Sequence, residues 1–172
     1  GLSDVEDCIM ATKFLIEQKK VDHNRCAIRG SSASGLTTLN ALIHYDIFQV
    51  GATHYGVSNL EDLLKITHKF EKHYTDSLIG PYPAAIKAYQ QRSPAWCIDQ
   101  LNKPVILFQG LEDKVVPPSQ SSTIYEHLTK KGIQTEYTTY AKERHGFKQY
   151  ENKVDAMSKE VAFFDKILEK KD

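Results

Sequence analysis

The segment from Gly30 to Gly35, with the sequence GSSASG, separates two different hydrophobic patterns. Before it stands the short apolar run from Cys26 to Ile28, and after it the residues from Leu36 to His44 have helical spacing. Small residues allow the backbone to turn sharply between two such elements. The pattern therefore predicts a strand, a tight turn and a helix, with Ser32 presented at the turn.

The rest of the chain alternates apolar runs with helical patterns. Strands are predicted at residues 48–55, 104–110 and 135–140, and helices at residues 4–19, 60–67, 83–91 and 120–131. A last helix is predicted from an apolar stripe of Val154, Met157, Val161, Phe164 and Leu168.

Short polar and special residues predict where several of these helices begin and end. Ser3 and Glu6 are a candidate capping box for the first helix, and Asn59 is a candidate cap for the helix at residues 60–67. Pro94 is expected to stop the helix at residues 83–91, and Gly132 to close the helix at residues 120–131.

The run from Pro104 to Phe108 is continuously apolar, which is typical of a parallel strand covered on both faces. Strands that alternate with helices favour an α/β fold, a three-layer sandwich around a mostly parallel sheet of about four strands. A length of 172 residues predicts a single domain over residues 1–172.

Three polar residues follow three of the predicted strands. Ser32 follows the first, Asp113 follows the strand at residues 104–110, and His145 follows the strand at residues 135–140. A serine nucleophile needs a base, an acid that orients the base, and backbone amides that hold an oxyanion. The order Ser, Asp, His is that of α/β-hydrolases, and the amide of Ala33 is the candidate oxyanion donor.

Two neighbouring residues compete for these roles. Ser31 is the alternative nucleophile, although the tight turn is expected to direct it away from the base. Glu112 is the alternative acid, and Asp113 could instead serve only as a helix cap. We favour Ser32 and Asp113.

The motifs at residues 30–35, 109–118 and 144–147 resemble those of the prolyl oligopeptidase family of serine peptidases, which includes dipeptidyl and acylaminoacyl peptidases. From its first residue to its last, the chain is similar to the C-terminal half of that family's catalytic α/β-hydrolase domain. The resemblance implies that Ser32 attacks a peptide or ester carbonyl, that His145 accepts and returns the proton, and that Asp113 fixes the histidine tautomer. It also implies a peptide substrate and no metal or organic cofactor.

The chain departs from the family pattern in two ways. Ser34 occupies a position where the family usually has glycine, and its side chain is expected to crowd or strain the turn. The family also has more chain before this point, including further strands and a loop with a second oxyanion amide. A sheet truncated before its nucleophile strand is expected to expose one edge and to self-associate through it.

These departures leave alternatives open. We expect the 172 residues alone to turn over little substrate. One alternative is a catalytically silent module with an assembly role. Another is a carboxylesterase, because the same three residues serve ester and amide leaving groups.

Composition argues against several other classes. Basic and acidic residues both number 22, so neither a nucleic-acid footprint nor a membrane-binding patch is predicted. No apolar run approaches the ~20 residues that span a bilayer, and no secretion signal is recognisable at the N-terminus. Cys8, Cys26 and Cys97 are an odd number at no metal spacing, which favours buried free thiols and a reducing, cytoplasmic compartment.

The remaining histidines and aromatic residues have simpler interpretations. His68 and His73 flank Glu71, but their spacing matches no zinc motif, so no metal site is predicted. Surface or core positions are expected for His23, His44, His54 and His127 as well. Trp96 and Tyr82 are expected either to line a substrate pocket or to pack in the core.

Overall fold

Four parallel strands form the centre of the molecule in a computed structural model that describes residues 2–66 and 74–169. They follow one another across the sheet in chain order. The strands are β1 (Ala27–Ser31), β2 (Val50–His54), β3 (Val105–Gly110) and β4 (Thr135–Tyr140). The helices are α1 (Ser3–Glu17), α2 (Ala33–His44), α3 (Leu60–Ile66), α4 (Tyr74–Ile79), α5 (Ile86–Arg92), α6 (Pro94–Cys97), α7 (Pro118–Lys130) and α8 (Tyr150–Leu168).

Helices cover both faces of this sheet. Side chains of α1, α2 and α7 share one hydrophobic cluster with β1 and β3, in which Leu39, Leu107 and Leu128 are fully buried. On the other face, Phe163 of α8 packs in a cluster with Phe108 and Ala52. Every residue of β2 and β3 is buried, as expected for strands covered on both sides. The predicted α/β fold, its layers and its four parallel strands are confirmed.

Most predicted element boundaries are confirmed within a few residues. The Oδ1 atom of Asn59 accepts hydrogen bonds from the backbone N–H groups of Glu61 and Asp62 at 3.1 and 3.2 Å, so Asn59 caps α3. Gly132 follows α7 with a φ of +73°, the left-handed conformation that closes a helix. The predicted last residue of α3, at position 67, lies outside the described residues.

One prediction about a helix end is wrong, and another is confirmed with shifted bounds. Ser3 lies inside α1, and its cap position is Leu2, which makes no side-chain capping bond, so the capping box does not form. The helix predicted at residues 83–91 begins only at Ile86 and ends at Arg92, one residue after its predicted end. The helix does end before Pro94, as predicted: Ser93, the residue before the proline, is extended, with a φ of −93° and a ψ of 113°. Pro94 is also the first residue of α6, because proline fits a first helical turn where its missing N–H has no partner.

The apolar stripe predicted to bury α8 is also partly wrong. Met157 is 64% exposed, and Val154 and Val161 are exposed as well. The buried residues are instead Ala156, Glu160 and Phe163, which lie on a neighbouring stripe of the same helix. Helical periodicity alone does not choose between the two stripes. The buried stripe contains the acidic Glu160, which no pattern in the sequence predicts to be buried and which contacts Arg29 and His54 in the structure.

The outer edge of β1 has no strand partner among the described residues, because β2 pairs with its other edge. Arg29 and Ser31 on this strand are exposed. An unpaired edge presents backbone donors and acceptors to other chains.

Self-association through this edge stays a prediction. The weight-average mass measured by analytical ultracentrifugation should rise with protein concentration. A monomer mass that does not change with concentration would contradict it.

Candidate active site

Ser32 is the single residue between β1 and α2, and its backbone is strained. Its φ of +54° and ψ of −121° are unusual for a residue with a side chain, at a cost of about 1–3 kcal/mol. Its N–H donates to the carbonyl of His54 at 3.0 Å, and its carbonyl accepts from Gly35 and Val57 at 3.0 and 3.1 Å. These three backbone bonds hold the turn, which presents the Ser32 hydroxyl beyond the end of the strand.

Two glycines make this turn sterically possible. A Cβ atom on Gly30 would lie 2.1 Å from the carbonyl oxygen of Ser34, and one on Gly35 would lie 2.5 Å from the Cα atom of Gly56. Neither contact is tolerated by real side chains, so the backbones approach closely only because both residues are glycine. The chain therefore needs glycine at the first and last positions of the motif.

The strain expected at Ser34 does not occur. Ser34 lies within α2 and has no positive φ. Its hydroxyl donates to the carbonyl of Ser31 at 2.8 Å and accepts from the N–H of Ser31 at 3.0 Å. The side chain thus ties α2 to the last residue of β1 and stabilises the turn instead of crowding it.

The structure brings Ser32, His145 and Asp113 into one hydrogen-bonded row. The Ser32 Oγ atom lies 2.8 Å from His145 Nε2, and His145 Nδ1 lies 2.8 Å from Asp113 Oδ2. A carboxylate can only accept a hydrogen bond, so His145 Nδ1 must carry the proton and donate the hydrogen bond to Asp113. Nε2 is then unprotonated and faces the serine hydroxyl as an acceptor. The serine O–H can then donate to Nε2.

Asp113 is buried and fixed by the loop that carries it. Its Oδ1 atom accepts from the N–H groups of Val115 and Val116, both at 2.9 Å, which leaves Oδ2 for His145. The buried Gln109 side chain also approaches Oδ2, at 3.4 Å. The rival acid Glu112 points to solvent and contacts Arg144 at 3.4 Å, so it has no contact with the histidine.

The aromatic ring of Tyr55, which was not assigned to the site from the sequence, contacts the His145 imidazole. The Tyr55 ring meets it edge-on with a centroid distance of 4.9 Å, and Phe147 packs against Tyr55 at 5.2 Å. Tyr55 follows β2 with a φ of +42°. Its position at the end of the strand predicted at residues 48–55 was the only signal in the sequence.

A second charged cluster lies beside the site. Glu160 of α8 is buried, with Arg29 Nε at 2.6 Å from one carboxylate oxygen and His54 Nε2 at 2.6 Å from the other. Burial, the largest single effect, raises the pKa of Glu160, but the bonds and charges of His54 and Arg29 outweigh it and hold this pKa below its ordinary 4.5. The cluster fastens α8 to β1 and β2, next to the strand ends that carry the site.

The other residues considered in the sequence lie elsewhere. His127 approaches Asp99 at 3.0 Å and His23 approaches Asp22 at 3.9 Å, while His68, His73 and Glu71 lie outside the described residues. The prediction that Trp96 and Tyr82 pack in the core is wrong, since both side chains are exposed.

The described residues contain neither a metal-binding cluster nor a membrane-spanning helix. Within residues 2–66 and 74–169, no group of three His, Cys, Asp or Glu side chains is placed to hold a metal ion. In the same ranges no helix has the length and apolar character needed to cross a membrane. The three cysteines are free thiols, of which Cys26 is buried and Cys8 and Cys97 are half-buried.

A parallel sheet between helical layers, with a serine on a strained strand-to-helix turn and an acid and a histidine on later loops, defines the class of α/β-hydrolases. The family model described as the prolyl oligopeptidase family matches residues 1–171. This chain belongs to that family, whose members are serine peptidases and related hydrolases.

Individual relatives agree with this assignment. Dipeptidyl aminopeptidase BIII from Pseudoxanthomonas mexicana is 31% identical over 153 residues, which are 86% of this chain and 22% of that protein. A puromycin-hydrolyzing peptidase from Mycobacterium tuberculosis superposes with a TM-score of 0.93 at 40% identity, over 96% of this chain and 25% of the other. The acylaminoacyl peptidase of Pyrococcus horikoshii gives a TM-score of 0.87 at 25% identity, over 100% and 28%. The chain thus spans about a quarter or less of these relatives.

The substitution Glu160→Gln should lower the free energy of unfolding at pH 7 by about 2 kcal/mol, because it removes the charged acceptor of His54 and of the largely exposed Arg29. A carboxyl whose folded pKa is depressed stabilises above its unfolded value, and this contribution is lost as pH falls through the folded pKa. The difference between the two proteins should therefore shrink below pH 4.5 in urea titrations.

The neighbouring Lys159→Ala is the matched control, since Lys159 pairs with Asp155 on the exposed face of the same helix at 2.7 Å. It should change the free energy of unfolding by less than about 1 kcal/mol. Equal losses from the two substitutions would contradict a special role for the buried cluster.

Proposed function

We propose that this chain carries the catalytic residues of a serine peptidase: Ser32 is the nucleophile, His145 the base and Asp113 the acid. The observation that carries the proposal is the row of two 2.8 Å contacts from the Ser32 hydroxyl through the imidazole to the buried carboxylate. The nucleophile thus contacts the base that would take its proton, and the base contacts the acid that would orient it.

The proposed reaction proceeds through an acyl-enzyme. The Ser32 oxygen attacks the carbonyl carbon of the substrate while its proton passes to His145 Nε2, giving a tetrahedral intermediate and an imidazolium that Asp113 stabilises. His145 then returns this proton to the leaving amine as the C–N bond breaks. A water molecule, deprotonated by the same nitrogen, then attacks the ester carbonyl of the acyl-enzyme. As the C–O bond to Ser32 breaks, His145 returns the proton to the Ser32 oxygen and the acid product leaves.

The Ala33 N–H is the proposed oxyanion donor from this part of the protein. Ala33 is the first residue of α2, and the first N–H groups of a helix have no partner within the helix. They lie at the positive end of the helix dipole, next to the Ser32 hydroxyl. A negative oxygen formed at the attacked carbonyl would find this donor beside the nucleophile.

We propose aminoacyl and peptidyl amides as the substrates. Support comes from the names of the relatives, which include a dipeptidyl aminopeptidase and a puromycin-hydrolyzing peptidase. Puromycin holds an amino acid in amide linkage, so both names describe cleavage of an amide bond after an aminoacyl or peptidyl group.

We also propose a reducing, cytoplasmic location for the protein. The free thiols of Cys8, Cys26 and Cys97 support this location.

A fluorophosphonate probe tests the nucleophile directly. The wild-type chain should be labelled covalently, and Ser32→Ala should abolish labelling because the attacking oxygen is removed. Ser31→Ala is the matched control, since it removes the adjacent hydroxyl and should label at the wild-type rate. Intact-mass spectrometry reads the adduct. Equal labelling of wild type and Ser32→Ala, or no labelling of the wild type, would refute the proposal.

A pair of chromogenic substrates tests the leaving group. We expect an aminoacyl p-nitroanilide to release p-nitroaniline in a burst of about one equivalent per chain as the acyl-enzyme forms. Stopped-flow absorbance should record that burst, and Ser32→Ala should remove it. Release only from a p-nitrophenyl ester would favour the carboxylesterase alternative over a peptidase. Release from neither substrate would favour a silent module.

A further inference from the structure

Glu143 is a buried carboxylate that the proposed mechanism does not use. Its side chain is only 1% exposed, and it lies on the loop after β4 that carries His145. Oε2 accepts from the N–H of Lys148 at 2.9 Å, and Oε1 accepts from the N–H of Gln149 at 2.8 Å and from Asn152 Nδ2 at 2.9 Å. Burial, the largest single effect, raises its pKa, but these three bonds lower it below the ordinary value.

The backbone of Glu143 is tied to the loop that carries Asp113. Its carbonyl accepts from the N–H of Glu112 at 3.0 Å, and its own N–H donates to the carbonyl of Tyr140 at 3.2 Å. A Cβ atom on Gly110 would lie 2.4 Å from the Glu143 carbonyl oxygen, so the two loops meet without space between their backbones. Glu143 therefore joins the end of β4, the acid loop and the start of α8.

We propose that Glu143 is a positioning residue that holds His145 in register with both Ser32 and Asp113. This inference rests on the proposed function. His145 lies between two fixed points, the backbone of Glu143 on one side and Lys148 and Gln149, bound by the Glu143 carboxylate, on the other. The carboxylate closes this short loop on itself. The imidazole, which must satisfy two contacts of 2.8 Å at once, therefore has little freedom to move.

The substitution Glu143→Gln tests the proposal with almost no change in volume. A carboxylate presents two acceptor oxygens, whereas an amide presents one oxygen and one NH₂ donor. Whichever way the amide turns, its donor faces at least one backbone N–H, so a loop anchor is lost. In a chain labelled with ¹⁵N, the His145 Nδ1–H should exchange with water about tenfold faster, because its bond to Asp113 opens more often.

The rate of fluorophosphonate labelling should fall by about ten- to a hundredfold in the same variant. Asn152→Ala removes one of the three donors and leaves the carboxylate in place, so it should give a smaller change of the same sign. This milder variant keeps the test decisive if Glu143→Gln fails to fold.

Two controls separate positioning from general stability. Glu112→Gln removes an exposed carboxylate from the adjoining loop and should leave proton exchange and labelling within about twofold of wild type. Glu160→Gln removes a buried carboxylate from α8 and should lower the melting temperature without changing the His145 proton. If Glu143→Gln behaves like Glu160→Gln, with lower stability and an unchanged His145 Nδ1–H, the inference is overturned.

The two readouts also separate this inference from the proposed function. A wild-type chain that does not react with the fluorophosphonate refutes the nucleophile assignment. The exchange rate of the His145 proton still decides whether Glu143 positions the imidazole, because that measurement needs no chemistry at Ser32.

Discussion

The site depends on the parallel pairing of the four strands. Parallel strands end at the same edge of a sheet, so the loops that follow β1, β3 and β4 emerge together. The register strengthens this effect: Ser31 pairs with His54, and Gly110 pairs with Tyr140. Residues 113 and 145 are far apart in sequence and still meet, because each follows its strand by only a few positions.

Close contact between backbones then converts this neighbourhood into a fixed geometry. Gly30 and Gly110 each lie where any side chain would overlap a carbonyl oxygen of an adjoining segment. The left-handed backbone at Ser32 is held by bonds at both its N–H and its carbonyl. Strain of this kind persists only where the surrounding structure over-determines it. The buried carboxylates of Glu143 and Glu160 add further contacts that join the loops and α8 to the sheet near the site.

Much of this arrangement could be predicted from the chain alone. The run before Gly30 and the run from Pro104 to Phe108 gave strands because continuous apolar residues need cover on both faces. The serine, acid and base were predicted since each follows a strand in the order that a parallel sheet brings together. The prediction for α8 failed at Met157, because helical spacing fits two adjacent stripes and only packing selects one.

The sequence by itself determined the order of the four strands and of every helix except α4 and α6, the turn at Ser32, and the loops that carry Asp113 and His145. These features depend on local patterns and short spacings. Only the tertiary structure decided that Ser34 bonds back to β1 instead of straining the turn, and that Glu143 closes the loop around the histidine. Both depend on which buried polar groups find partners, and such partners are fixed by contacts between distant segments rather than by neighbours in the chain.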